Sequence, residues 1–241
     1  MNLNFDFSMQ TVVITGAAGN LGQDIVRAFH QAGGRLALLN LSKGKLARIF
    51  PEIAQSPDHL LIEGLDVTDA QGVQTTIHQI VDHFGKIDIL VNTVGGYQAG
   101  KPLHETDYET WDFMLNLNAR SVFTMCHEVL PYMIERERGK IINVAAAPAL
   151  KGSANSSAYS VAKTAVARLT ESMAAEYKNL NINVNAILPS AIDTPQNRAA
   201  MPKADFSKWV TPEAIARVIL FLASEAADPI NGALLPVFGR R

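Results

Sequence analysis

Tyr159 and Lys163 are the residues whose types and spacing best suit proton transfer. Both lie in the stretch AYSVAKTAVARL, which has helical periodicity, and side chains four residues apart on a helix share one face. A free phenol titrates at about 10, too high for ready proton exchange at neutral pH. An ammonium group about 4–6 Å away would lower that pKa by about one to three units. The pair is therefore predicted to work as a unit in which Tyr159 is the acid or base.

A second tyrosine–lysine pair with the same spacing, Tyr97 and Lys101, is predicted to behave differently. Two glycines precede it and a third lies within it, which indicates a loop rather than a helix. In a loop, a spacing of four residues does not place two side chains on one face. Only the pair at 159 and 163 is expected to act together.

A glycine-rich turn at residues 16–22 joins the first predicted strand to the first predicted helix. Small residues there let the backbone approach a pyrophosphate, and a helix N-terminus supplies N–H groups and partial positive charge. The turn is therefore predicted to hold the phosphates of a dinucleotide, although an ordinary strand-to-helix turn is the alternative. Its candidate cofactor contacts are Gly16, Ala18, Asn20, Leu21 and Gly22.

The elements that must position these residues alternate between short apolar runs and longer segments with helical periodicity. The runs predict strands at 11–15, 36–39, 60–63, 87–91, 140–144, 182–187 and 234–237. The longer segments predict helices at 21–31, 68–84, 109–136, 159–178 and 212–223, three of them N-capped by Thr68, Thr106 and Thr211. This order predicts an α/β fold, a single doubly wound parallel sheet with helices on both faces. Ligands of such sheets bind beyond the carboxyl ends of the strands.

Composition excludes several classes of function. The chain has 241 residues, 48% of them hydrophobic, which predicts one domain (1–241) with its own core. Lys and Arg number 21 against 23 Asp and Glu, which leaves no basic excess for nucleic acid. One cysteine and six scattered histidines lack metal-ligand spacing, so no metal is expected. Without a leader-like start or a long apolar run, the prediction is a cytoplasmic protein that does not bind membranes.

The motifs along nearly the whole chain resemble those of the short-chain dehydrogenase/reductase family. TGAAGNLG matches the family's TGxxxGxG except that Asn20 replaces a glycine, and asparagine tolerates positive φ better than most residues. NTVG at 92–95 stands where NNAG is typical, YSVAK is the family's YxxxK, and PSAIDT at 189–194 resembles its PGxxxT. The resemblance implies a Rossmann fold and an NAD(P)-dependent oxidoreductase that transfers hydride to a small-molecule substrate.

The resemblance also implies roles for individual residues. Tyr159 would exchange the substrate proton, Lys163 would bind the nicotinamide ribose and tune the tyrosine, and Asn118 would help hold a proton-relay water. Residues 190–210 would form a substrate loop, and the helices predicted at 109–136 and 159–178 would join copies into a homodimer or homotetramer. Further cofactor contacts are implied for Asn40, Asp66, Val67, Asn92, Gly95, Pro189, Ile192 and Thr194.

Ala146 occupies the position where the family usually carries a serine that hydrogen-bonds the substrate carbonyl oxygen. Loss of such a donor costs about 3–4 kcal/mol of transition-state stabilisation, so a simple ketone is predicted to react poorly. Ser153, Ser156 or Ser157 could replace the donor after a loop rearrangement.

The segment 188–209 resembles the quinonoid dihydropteridine reductases of the same family, which lack that serine. A quinonoid imine accepts hydride readily and spreads the resulting charge, so the missing donor matters less. The resemblance implies that Tyr97 stacks on the substrate ring, although a plain loop tyrosine is the alternative. The substrate is therefore predicted to be a small carbonyl or a quinonoid imine bound near Ala146, Tyr97 and Tyr159.

The choice between NADH and NADPH stays open. Asn40, after the second strand, is neither the acid typical of NAD enzymes nor the basic residue typical of NADP enzymes. Lys43 could reach a 2′-phosphate, whereas the related pteridine reductases prefer NADH.

A protein that binds NAD(P) without turnover, as a sensor or interaction module, is the competing hypothesis. The departures at Ala146, Asn20 and 93–94 motivate it. The intact set of Asn118, Tyr159 and Lys163 favours an enzyme, since a sensor has no use for a positioned proton donor.

Overall fold

The computed structural model describes residues 5–240, and within them seven strands form one parallel sheet. The order across the sheet is β3-β2-β1-β4-β5-β6-β7, which reverses direction between β1 and β4. The predicted doubly wound α/β fold is confirmed, and ligand sites in such sheets lie at this reversal. The strands are β1 Thr11–Thr15, β2 Arg35–Asn40, β3 Leu60–Glu63, β4 Ile89–Asn92, β5 Gly139–Val144, β6 Ile182–Pro189 and β7 Leu234–Val237.

Helices cover both faces of the sheet. They are α1 Asn20–Gln31, α2 Leu46–Ile49, α3 Pro51–Ala54, α4 Ala70–Phe84, α5 Tyr108–Leu115, α6 Ser121–Glu135, α7 Ser157–Tyr177, α8 Pro195–Ala200 and α9 Pro212–Ala223. In β1, Val12 and Ile14 pack with α1 and α9, whereas Val13 packs with α4, α6 and α7. Because both faces are buried, the strands are continuous apolar runs. No helix within residues 5–240 is long and apolar enough to span a membrane.

The single helix predicted at 109–136 is two helices, α5 and α6, joined by a π-helical turn at Asn116–Arg120. Such a turn adds one residue to the helical repeat and often occurs at functional sites. The turn contains Asn118, which is fully buried. The prediction of one uninterrupted helix was wrong. Each flanking helix keeps its own apolar periodicity, so the sequence pattern does not reveal the residue inserted between them.

Two of the three predicted helix caps are wrong by one residue. Asp69 caps α4 and Asp107 caps α5, each accepting a hydrogen bond from an N–H of the first turn. The hydroxyls of Thr68 and Thr106 instead donate to neighbouring oxygen atoms. A carboxylate accepts a stronger, charge-assisted hydrogen bond than a hydroxyl does, so the adjacent aspartates cap the helices instead of the threonines. Thr211 caps α9 as predicted.

Candidate active site

The turn after β1 lets a ligand approach the backbone closely. Gly16 has a φ of +62°, and a Cβ there would lie 2.9 Å from Thr93 Oγ1. A Cβ on Gly22 would overlap the carbonyl oxygen of Gly16, so both positions require glycine. Within the described residues, α1 has neither a capping side chain nor an acid in its first turn. Its N-terminal N–H groups and partial positive charge therefore suit the pyrophosphate of NAD(P).

Asn20 does not use the positive φ that asparagine tolerates. It is the first residue of α1, and the left-handed conformation in this turn belongs to Gly16. The replacement of a glycine by Asn20 therefore leaves the turn intact. Ala18 and Leu21 lie in the same turn. The Ala18 carbonyl accepts a hydrogen bond from the side-chain amide of Gln23.

Thr93, which departs from the family pattern, joins the ends of β1 and β4. The Thr15 hydroxyl oxygen accepts from the Thr93 N–H at 3.0 Å, and Thr93 Oγ1 donates to the Thr15 carbonyl at 2.5 Å. This departure therefore stabilises the edge of the sheet at the reversal of strand order.

Gly95 marks the place where two of the predicted catalytic side chains meet. A Cβ built on Gly95 would lie 2.8 Å from Asn118 Oδ1 and 3.0 Å from Lys163 Nζ. The third predicted catalytic residue, Tyr159, lies beside them, with its ring centroid 6.0 Å from Lys163 Nζ. The structure thus brings Asn118, Tyr159 and Lys163 together beyond the end of β4.

The side-chain amide of Asn118 is occupied by protein groups. Its Oδ1 accepts from the Gly96 N–H at 3.2 Å, and its Nδ2 donates to the carbonyls of Gly96 at 3.1 Å and Met114 at 3.0 Å. These bonds join the loop after β4 to the π-helical turn. A relay water at Asn118 would bind its backbone rather than its side chain, and that role stays a prediction.

Burial controls the pKa values of both members of the tyrosine–lysine pair. Burial, reinforced by the neighbouring Tyr97, raises the pKa of Tyr159 to about 12. Burial lowers the pKa of Lys163 to about 8, and this lysine donates to the Val144 carbonyl at 3.0 Å. The predicted lowering of the Tyr159 pKa is wrong in this structure, because burial of the phenol raises that pKa. Tyr159 is held as the neutral phenol, the form that donates a proton.

Ala146, where the sequence predicts a missing donor, has no hydroxyl. It follows β5, two residues after Val144, and is 8% exposed. Ser153 and Ser156, two proposed substitutes, have their hydroxyl oxygens 2.6 Å apart and so bond each other. Ser157 Oγ is buried and has no hydrogen-bond partner within residues 5–240. Of the three serines, Ser157 is the one whose buried hydroxyl oxygen has no hydrogen-bond partner in the described part of the chain.

Tyr97 packs against Tyr159 at the opening of the site. The two ring centroids are 4.9 Å apart and the rings are perpendicular. The loop that carries Tyr97 is joined to the segment before α7 by a bond from the Gly100 N–H to the Asn155 carbonyl at 2.7 Å. Lys101 forms an ion pair with Asp107. Tyr97 is 70% exposed, so its side chain is accessible.

The remaining predicted cofactor contacts lie at or just after the ends of strands. The Asn92 side chain is 2% exposed and donates to Asn143 Oδ1 at 2.9 Å, linking β4 to β5. The Thr194 hydroxyl accepts from the Asn197 N–H and caps α8. Their side chains therefore serve the fold. Asn40 ends β2, Asp66 and Val67 follow β3, Pro189 ends β6, and Ile192 follows β6.

Asn143 is a residue that sequence reasoning missed. It is fully buried, pairs in register with Asn92, and donates to the Thr170 hydroxyl on α7 at 2.9 Å. This network connects the strands of the site to the helix that carries Tyr159. The available signal is an asparagine near the end of each of two apolar runs, ILVN and KIINV. Within residues 5–240, no three His, Cys, Asp or Glu side chains cluster as metal ligands.

Similarity to known proteins agrees with this geometry. The 3-oxoacyl-[acyl-carrier-protein] reductase FabG of Thermotoga maritima is 31% identical over 235 residues, covering 94% of this chain and 95% of that protein. The structure of NAD+-bound xylitol dehydrogenase matches with a TM-score of 0.89 at 25% identity, covering 97% of this chain and 99% of the other. The structure of ElxO with NADP bound matches with a TM-score of 0.88 at 27% identity, covering 95% and 97%.

The family model described as short chain dehydrogenase matches residues 10–205. That range contains the glycine-rich turn and all three clustered side chains, which disfavours a binding protein without turnover. The chain therefore belongs to the short-chain dehydrogenase/reductase family and is an NAD(P)-dependent oxidoreductase.

Proposed function

We propose that this oxidoreductase reduces a flat, conjugated electrophile in preference to a simple ketone. The substrate would be a quinonoid imine such as quinonoid dihydropterin, or a comparable quinone. The observation that carries the proposal is the buried, apolar Ala146, two residues after Val144, whose carbonyl accepts a hydrogen bond from Lys163. A ketone develops negative charge on one oxygen and gains most from a second donor there. A quinonoid substrate spreads that charge over its ring and depends less on the donor.

The Tyr97 ring supports the same substrate class. It is exposed and perpendicular to Tyr159, so a planar ring entering the site would meet an aromatic face beside the proton donor. Aromatic contacts of this kind contribute about 0.5–1.5 kcal/mol.

In the proposed reaction, bound NAD(P)H supplies the hydride. Tyr159, neutral because burial raises its pKa, donates its phenolic proton to the substrate atom that gains negative charge. Lys163, held by the Val144 carbonyl, would bind the nicotinamide ribose, and Asn118 keeps the loop after β4 in place. Backbone groups of the turn at 16–22 would hold the pyrophosphate.

The region 190–210 is proposed as the substrate loop. It contains α8, and Arg198 on that helix forms two hydrogen bonds to Asp193, at 2.5 and 2.8 Å. The location in the cytoplasm and the organisation as one domain stay predictions from the sequence.

We further propose that copies of the chain associate through the outer faces of α5, α6 and α7. Four large apolar side chains are exposed there: Tyr108, Phe113, Phe123 and Val161. A patch of this kind marks an interaction surface. Light scattering at micromolar concentration should give the mass of a dimer or tetramer, and a strictly monomeric mass would contradict the proposal.

A reductase of small carbonyls is the second candidate. The free Ser157 hydroxyl favours it, since this group is buried two residues before Tyr159 and lacks a partner in the described part of the chain. A shift of the N-terminal turn of α7 would allow it to replace the donor missing at Ala146.

The test compares kcat/KM for quinonoid dihydropterin and for a simple ketone, with cofactor saturating, in wild type and Ala146→Ser. We expect wild type to prefer the quinonoid substrate. The introduced serine should raise kcat/KM for the ketone by up to about 100-fold. This gain is smaller than that from a native donor, because the contacts that would position the new hydroxyl are absent. It should change quinonoid reduction by less than about twofold.

Ala147→Ser is the matched control, because it adds the same hydroxyl one residue away and should change neither substrate. If wild type already reduces the ketone efficiently and Ala146→Ser has no effect, the second candidate is correct. Ser157→Ala should then remove the ketone activity.

A further inference from the structure

An acidic side chain lies beside the position where this chain lacks the usual acid. Asn40 and Glu63 are the last residues of β2 and β3, and they are partners in the parallel register. Dinucleotide-binding folds of this type use an acid near the end of the second strand to bind the ribose 2′-hydroxyl of NAD. Glu63 therefore brings a carboxylate from the neighbouring strand to the same edge of the sheet.

The carboxylate of Glu63 is fixed within the loop that follows β2. Its Oε1 accepts from the N–H groups of Leu46 at 2.6 Å and Lys45 at 2.7 Å, and its Oε2 accepts from the Gly44 N–H at 2.6 Å. The Leu46 N–H, together with those of Gly44 and Lys45, lowers the pKa of Glu63. The group is thus ionised at neutral pH and tied to three consecutive backbone groups.

The side chain of Asn40 is also engaged within this loop. Asn40 Nδ2 donates to the Ser42 carbonyl at 2.8 Å. Lys43 is the residue that the sequence suggested for a 2′-phosphate, and its methylene carbons lie over Gly64. Its Cε is 2.7 Å from where a Cβ on that glycine would lie. A 2′-phosphate entering the loop would meet the fixed carboxylate of Glu63.

We propose that Glu63 makes this enzyme select NAD(H) over NADP(H). Both dinucleotides share every group except the 2′-phosphate, so a negative charge fixed near that position penalises only NADP(H). The repulsion between like charges at a partly shielded site exceeds its value in bulk water. This inference rests on dinucleotide binding beyond β1 and β2 and does not depend on the substrate.

Calorimetric titration of NADH and NADPH into the intact protein tests the proposal without any turnover. We expect wild type to bind NADH at least about tenfold more tightly than NADPH. Glu63→Gln removes the charge and keeps one acceptor oxygen, so it should raise NADPH affinity by about tenfold and change NADH affinity by less than about twofold. Glu63→Asp keeps the charge and should keep the wild-type preference.

Glu52→Gln is the matched control, since it removes an exposed acid on α3 and should leave both affinities unchanged. Equal affinities in wild type, or an unchanged affinity ratio in Glu63→Gln, would overturn the proposal. A parallel loss of both affinities in Glu63→Gln would assign Glu63 a purely structural role and overturn it as well. If wild type binds neither dinucleotide, the NAD(P) function fails, and this inference fails with it.

Discussion

The floor of the candidate site, formed by Gly95, Asn118 and Lys163, differs from its rim, formed by Tyr97, in how far water reaches it. Asn118 and Lys163 are 0% and 4% exposed and bond to backbone carbonyls. At the rim, Tyr97 is 70% exposed and packs mainly on Tyr159.

Buried polar groups that are held by hydrogen bonds resist movement, because breaking such a bond leaves an unpaired group in a medium of low dielectric. Exposed side chains exchange protein contacts for water at little cost. The difference indicates that the floor determines the type of reaction and that the rim determines which substrate is accepted. Substitutions on the floor should therefore change kcat, and substitutions at the rim should change KM.

Tyr159→Phe should have the largest effect, because it removes the proton donor that lies beside Lys163 of the floor. Turnover should fall by about 10²- to 10⁴-fold, and NADH affinity should change by less than about twofold. Steady-state rates and calorimetric binding measure the two quantities. Tyr108→Phe, an exposed tyrosine on α5, is the control and should match wild type. Equal turnover in Tyr159→Phe and wild type would remove the catalytic role.

Gly95→Ala tests whether the floor tolerates an added Cβ at its backbone. The new Cβ would press on Asn118 Oδ1 and Lys163 Nζ, two buried groups with little freedom to move. Displacement of about 1 Å should lower kcat by about 10- to 100-fold. The crowding should also lower the free energy of unfolding by about 1–3 kcal/mol.

Gly152→Ala is the control for Gly95→Ala, because a Cβ at that glycine meets nothing within 4 Å. The kcat of this variant and its free energy of unfolding, measured by chemical denaturation, should both be close to wild type. A wild-type rate in Gly95→Ala would show that the floor adapts and would remove the contrast with the rim.

The buried Lys163 predicts opposite responses of activity and stability to pH. Its pKa is lowered from 10.5 to about 8, so kcat/KM for reduction should fall about tenfold per unit above that value as the charge is lost. The unfolded chain binds this proton more tightly, so the contribution of Lys163 to stability increases between about 8 and 10.5 and is lost as pH falls through about 8. Rate profiles and denaturation at several pH values measure both.

Lys163→Arg should remove the fall in kcat/KM above pH 8, since a guanidinium stays charged to above about 12. Persistence of the same inflection in this variant would assign it to another group.

Substitution of Tyr97 at the rim should have the smallest effect. Tyr97→Leu should raise KM for a planar substrate by about three- to tenfold, the value of one aromatic contact, with kcat within about twofold. Tyr97→Phe keeps the ring and should match wild type in both quantities. A collapse of kcat in Tyr97→Phe would show that the hydroxyl takes part in the chemistry and that the rim and the floor are not separate.

The sequence by itself determined the strands and the tyrosine–lysine pair of this protein. A strand buried on both faces must be apolar along its length, so runs such as TVVIT identify strands without knowledge of their neighbours. Tyr159 and Lys163 lie on one helix, where local geometry alone sets their separation. The π-helical turn at Asn118 was missed, because one inserted residue leaves the apolar periodicity on both sides unchanged.

Only the tertiary structure decided the sign of the Tyr159 pKa shift, because desolvation depends on every element that covers the ring. It also decided that Gly95, Asn118 and Lys163 lie together, since these residues come from a loop, a π-helical turn and a helix. Glu63 reaches the loop after β2 because the parallel register sets β3 beside that strand. Contacts between elements far apart in the chain leave no periodic signal in the sequence. The pattern of each element reflects its own helix or strand geometry and does not identify the element that it contacts.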